Sequence, residues 1–213
     1  MGKDKNTKIK NALISVSNKD QLELLTQSLN ELGINIISTG GTASFIDNLG
    51  IKVKKVSDIT GFPEIMDGRV KTLHPKIYGG LLNRKEIDDA TQEEHSIQNI
   101  DLIIVNLYPF EKTIAREDCN DEMAIENIDI GGPAMIRASA KNFYTKTIVT
   151  DPSDYDLIIK ELKMNSGSTS FEVRKNLSLK AFRYTADYDE SIYNYFNTKN
   201  NDSSQKKIID MHL

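Results

Sequence analysis

The stretch DLIIVNLYPF, residues 101–110, limits the possible folds more sharply than any other part of the chain. Leu102, Ile103, Ile104 and Val105 leave no polar face, so a strand built from them must be covered on both sides. Such strands belong to parallel sheets sandwiched between helices. NALISVS (11–17), INIIST (34–39), IKVKKVS (51–57) and KTIVT (146–150) read as further strands. Between them, Leu22, Leu25, Leu29 and Leu32 recur at helical spacing before Gly33, and GGTASFIDNLG reads as a turn and helix ending at Gly50. DPSDYDLIIKELKMN places Pro152 near a helix start, and SFEVRKNLSLKAFRYTADYDESIYNYF is helical by pattern. This alternation predicts an α/β fold with right-handed crossovers, and ligands at the carboxyl ends of its strands.

With 213 residues the chain can bury a core without disulfides or metals. Its net charge of −4 argues against a general nucleic-acid binder, although a local cation cluster can still hold a small anion. Cys119 is the single cysteine, so no intrachain disulfide forms and a cytoplasmic setting is expected. Its acidic surroundings, AREDCNDE, argue against a nucleophilic role. His74, His95 and His212 are scattered, so no metal site is expected, and no apolar run or signal core points to a membrane. Residues 1–10 read as a polar tail, 11–196 as one globular domain and 197–213 as a second polar tail.

The strand ends carry the chemistry. After the first strand, Ser17-Asn18-Lys19-Asp20 fits a capping box, and the same helix start can receive an anion. In STGGTAS, Gly40 and Gly41 stand between Thr39 and Thr42. This is either a small phosphate cradle or a tight turn with Thr42 as the cap. GRVKTLHP (68–75) sets Arg69, Lys71, Thr72 and His74 between Gly68 and Pro75. An acidic chain has no structural need for that set on a solvated loop, whereas an anion site uses a guanidinium fork, an ammonium and a hydroxyl. Asn106 and Tyr108 alternate with Leu107 and are expected on one side, facing a polar heterocycle or, for Tyr108, filling the core. Asp129 precedes Gly131-Gly132-Pro133, and the N–H groups of Gly131 and Gly132 suit a developing oxyanion. Lys141 lies eight residues beyond Pro133, roughly 12 Å along a straight helix, so it joins Asp129 only if the chain turns or a ligand spans the gap.

Taken together, STGGTA, TGFPEIMDGRVKTLHPKIYGG, VNLYPF and IENIDIGGPAMIRASAKN resemble the IMP cyclohydrolase domain of the bifunctional AICAR transformylase/IMP cyclohydrolase family. The resemblance runs from ALISVSNK to SLKAFRYTADYD. It implies a three-layer, methylglyoxal-synthase-like α/β domain with additional C-terminal helices, a homodimer and a transformylase domain beyond the 197–213 tail. The implied reaction closes the purine ring of the formylated carboxamide ribotide FAICAR to IMP and water, without a cofactor. Carried over by motif, Lys71, Tyr108, Asp129 and Lys141 are the catalytic set. Ser15, Ser17, Lys19, Thr39, Gly40, Gly41, Thr42, Arg69, Thr72, Asn106, Ile130 and Gly131 bind substrate. Asn18, Tyr78 and Phe143 depart from the family pattern, which has Asp, His and His there. Two other functions share the fold: a methylglyoxal-synthase-like lyase and the nucleotide-binding regulatory module of carbamoyl phosphate synthetase. Both leave Asp129 and Lys141 without a role.

Overall fold

The computed structural model describes residues 6–210, with side chains to residue 198. The first described residues correct the sequence reading of a polar tail. β1 (Thr7–Lys8) pairs antiparallel with β7 (Ser168–Thr169), and Ile9 is buried with its N–H on the Gly167 carbonyl at 2.9 Å. One apolar side chain with a core to enter outweighs a polar neighbourhood.

The main sheet has five parallel strands in the order β4-β3-β2-β5-β6. These are β2 (Asn11–Val16), β3 (Asn35–Ser38), β4 (Val53–Lys55), β5 (Leu102–Asn106) and β6 (Thr147–Val149). β5 pairs with β2 from Ala12↔Leu102 to Val16↔Asn106. Its side chains divide as the apolar run requires. Leu102 and Ile104 enter one core with Ile14, Leu25 and Ile158, while Ile103 and Val105 enter the other with Leu13, Ile77 and Ile136. Each such side chain contributes roughly 1.5–3 kcal/mol on burial.

The helices are α1 (Leu22–Glu31), α2 (Gly40–Asn48), α3 (Val56–Thr60), α4 (Pro75–Leu82), α5 (Asp89–Glu94), α6 (Phe110–Ile114), α7 (Asp121–Glu126), α8 (Gly131–Lys141), α9 (Tyr155–Met164) and α10 (Phe171–Asp210). A 3-10 turn at Pro152–Asp154 leads into α9. The C-terminal helices of the sequence reading are thus α9 and the 40-residue α10. Residues 197–210, read as a polar tail, are helical backbone continuing α10; 211–213 lie outside the described residues. No helix among the described residues is long and apolar enough to cross a membrane.

Candidate active site

From β2 the chain winds outward through β3 and β4, then returns to place β5 on the other side of β2. That reversal opens a crevice between the carboxyl ends of β2 and β5. Asn106 closes its floor. The Asn106 carbonyl accepts the N–H groups of Ser17 at 2.7 Å and Asn18 at 2.8 Å, and its amide donates to the Asn18 carbonyl at 2.9 Å. With three of four hydrogen-bonding positions used, this buried side chain shapes the loop instead of facing a heterocycle. The capping-box reading of Ser17 fails for the same reason. Anchored by Asn106, residues 17–20 stay a loop, and α1 starts only at Leu22, after a left-handed Gln21 (φ 58°) that makes no side-chain cap. Lys19 lines a shallow cleft with Asp20, Gln21 and Phe45.

At the end of β3, Thr39 is the N-cap of α2 through its extended backbone, and its hydroxyl meets that of Ser15 at 3.1 Å. Thr42 is not the cap. Its buried hydroxyl donates to the Val16 carbonyl at 3.0 Å and accepts the Val16 N–H at 3.2 Å, stitching α2 to β2. In this cradle Thr39 is buried while Gly40 and Gly41 are exposed, and the Gly40 N–H reaches Glu64 Oε1 at 3.3 Å.

The loop before α4 is held in an unusual shape. Ile65 and Val70 bridge, and between them Met66 and Asp67 both have positive φ (55° and 54°), the pattern of a type I′ turn, followed by Gly68 at 84°. A side chain at Gly68 would also stand 2.9 Å from Lys71 Nζ. Such left-handed residues cost roughly 1–2 kcal/mol each and persist where tertiary contacts over-determine them. The cations the loop presents face carboxylates. Arg69 forks onto Glu126, which raises the guanidinium and lowers the carboxyl; Lys71 lies 3.4 Å from Glu64. Thr72 is buried, and His74 Nδ1 accepts the Lys76 N–H at 3.1 Å to cap α4 ahead of Pro75. The histidine of GRVKTLHP is therefore a helix cap.

α8 packs against this loop. A Cβ on Gly131 would lie 3.2 Å from the Thr72 hydroxyl, and one on Gly132 would lie 2.5 Å from Leu107 and 2.6 Å from Asp129 Oδ2. The glycine pair is what lets the carboxyl fold back over the helix start. Asp129 Oδ1 accepts the Gly132 N–H at 2.8 Å, so that N–H is not free for an oxyanion. Burial raises the Asp129 carboxyl above the usual aspartate range; N–H groups of Gly132 and Tyr108 and the charge of Lys71 oppose this without cancelling it. A simple capping carboxylate is shifted the other way. The Tyr108 side chain is exposed, past the strand end, while that of Asn106 is buried; Ile130 is exposed at the helix entry.

Two contributors escaped the sequence reading. Tyr188 accepts the Asp129 N–H at 2.8 Å and Tyr184 accepts the Leu107 N–H at 3.1 Å. Both come from α10, four residues apart on one helix face; that spacing in FRYTADY was the available signal. Lys141 stands at the far end of α8. α8 runs unbroken from Gly131 to Lys141, which places the lysine about 15 Å along the axis from the Asp129 end.

The family model for the MGS-like domain matches residues 21–134, more than half of the chain, and that for the AICARFT/IMPCHase bienzyme matches residues 139–212. Among solved structures, the crystal structure of ForH is similar at 35% identity and a TM-score of 0.80, with 88% of this chain and 97% of that chain covered.

Proposed function

We propose that this chain, which belongs to the family of MGS-like domains, is an IMP cyclohydrolase that closes the purine ring of FAICAR. The bienzyme match over residues 139–212 supports a role in purine biosynthesis, on a nucleotide substrate and in company with a transformylase domain. The observation that carries the specific reaction is the placement of Asp129. It is a half-buried carboxyl with a raised pKa, held at a helix start, within the electrostatic reach of Lys71 and at the sheet's switch point.

In the ring closure the carboxamide nitrogen bonds to the formyl carbon and gives up one proton. The hydroxyl of the resulting carbinolamine then leaves as water, while the former formamide nitrogen loses its proton. Asp129 takes the first proton; its raised pKa brings it closer to neutrality, where a general base works best. Lys71 stands by the oxygen on which charge builds and which departs, with the exposed Tyr108 phenol at the mouth to relay a proton. Ser15, Thr39, Gly40, Gly41, Arg69 and Thr72 supply the phosphate and ribose contacts. Holding both reacting groups of one molecule in attack geometry supplies the rest. Lys141 takes no part in this step within one chain.

The test is purified protein with FAICAR, a chelator and no folate, following IMP in the ultraviolet. Rapid formation is expected. A rate equal to the spontaneous background would remove the cyclohydrolase reading, and retained IMP binding would then favour a nucleotide-binding regulatory module.

A further inference from the structure

Both cations that GRVKTLHP offers to an anion are already paired with a carboxylate, and the two pairs differ in kind. Arg69 grips Glu126 of α7 with both arms of its guanidinium fork. Glu64 instead divides its carboxylate between two groups of the candidate site. Oε1 accepts the N–H of Gly40, the first residue of α2, at 3.3 Å, and Oε2 lies 3.4 Å from Lys71 Nζ. The three groups crowd one spot. A Cβ on Gly40 would stand 3.7 Å from Lys71 Nζ and 4.0 Å from Glu64 Oε1, and one on Gly68 would stand 3.8 Å from Glu64 Oε2.

A carboxylate that joins a helix-start N–H to an ammonium does what two oxygens of a phosphate would do in the same place. Its hold is weak. Both contacts are long, and 31% of the Lys71 side chain and 38% of the Glu64 side chain remain exposed. An exposed pair of this kind contributes little to stability. Glu64 belongs to neither hydrophobic core, so its side chain can rotate toward solvent without unpacking the fold. A phosphate brings more charge and a third acceptor oxygen to the same donors.

We propose that Glu64 is a stand-in anion, which takes the phosphate position of the cradle, pairs with Lys71 there, and is displaced by the phosphate of the substrate. The identity of the ligand rests on the ring-closure reading, whereas the exchange itself needs only an anion. One carboxylate touches both the cradle and Lys71, so the two are coupled. Phosphate at the Gly40 N–H repels Glu64, and Lys71, on its flexible stem, is released to turn toward the departing oxygen. The cradle also rejects weaker anions, because a ligand must offer more than the carboxylate it replaces.

Titration calorimetry with inorganic phosphate and with IMP tests this on wild type, Glu64→Gln and Glu64→Asp. The amide carries no charge to compete with a phosphate; the aspartate keeps the charge but is one methylene too short to join Gly40 to Lys71. Both variants are expected to bind phosphate and IMP about fivefold more tightly than wild type. Phosphate binding that is unchanged, weaker or undetectable in Glu64→Gln would overturn the proposal and make the carboxylate a support of the cradle. A gain in Glu64→Gln that Glu64→Asp lacks would also sink it, since charge at a distance would then suffice. So would IMP that binds wild type yet gains nothing in either variant. If phosphate gains in both variants while IMP binds none of the three proteins, the exchange stands and the ring-closure reading fails.

Discussion

The sheet carries a polar cluster at each end, built from similar ingredients toward opposite ends. Near the amino ends of β2, β5 and β6, the fully buried Lys146 donates to the Gly80 carbonyl at 2.8 Å, to Asn83 at 2.6 Å and to Asn99. Asp101 accepts the N–H groups of Lys10 and Asn11, both at 2.9 Å, and the Asn99 amide. All three ammonium hydrogens have an acceptor. At the carboxyl ends the charge of Lys71 is felt at Asp129, but there the Lys71–Glu64 contact is 3.4 Å, the Tyr78 hydroxyl is unpaired, and Met66 and Asp67 are left-handed. Burial raises both aspartates, so a perturbed carboxyl alone does not mark a site. Completeness distinguishes them. A fully satisfied buried network rigidifies, while a partly satisfied one waits for a partner.

Four substitutions would break or sharpen that contrast. The largest effect is expected for Asp129→Asn, with turnover falling about 10²- to 10⁴-fold. An acid whose folded-state pKa is raised holds its proton more tightly when folded, so it weakens the fold as pH rises through the window just above the ordinary aspartate value. Chemical denaturation at neutral pH should therefore find the variant as stable as wild type or slightly more so. A large loss of stability would move Asp129 to the structural cluster.

Lys146→Met should do the reverse, costing about 3–5 kcal/mol of stability while leaving turnover per folded molecule intact. Its pH dependence carries a definite sign. Burial lowers the lysine from 10.5 to about 8, so between those values the unfolded chain holds more protons than the folded one. Wild-type stability relative to the variant should thus climb from pH 8 to 10.5, and a flat difference would mean that the ammonium is not desolvated.

The smallest contrast sets two lysines against each other. Lys71→Ala should lower turnover about 10- to 100-fold, and Lys141→Ala by less than about threefold, because α8 sets Lys141 about 15 Å along its axis from Gly131. The opposite ranking in steady-state kinetics would refute the geometry and restore Lys141 to the catalytic set.

Much of this was legible in the chain itself. Leu102–Val105 without a polar face demanded two covering layers, and two cores flank β5. Gly33, with φ 68°, stops the first helix where the leucine spacing ends. The glycine and hydroxyl residues at 39–41 and the cations at 69 and 71 do lie at the carboxyl end of the sheet. These features depend on backbone conformation and on periodicity over a few residues, and such local chemistry is present in any window of sequence.

Partner choice is different. Thr42 and Asn106 look like ligand donors in sequence, yet both bond to backbone that the crossover brings beside them. Tyr184 and Tyr188 reach Leu107 and Asp129 from 77 and 59 residues downstream, a distance at which no motif couples them. Lys141 stands at the opposite end of α8 from Gly131, a separation that only a spanning ligand could bridge. The sequence alone determined the layers, the sheet and the end of it where the candidate site lies, since those follow from apolar spacing and backbone freedom. Only the tertiary structure decided which polar groups satisfy one another and which stay open, because that depends on what is desolvated together.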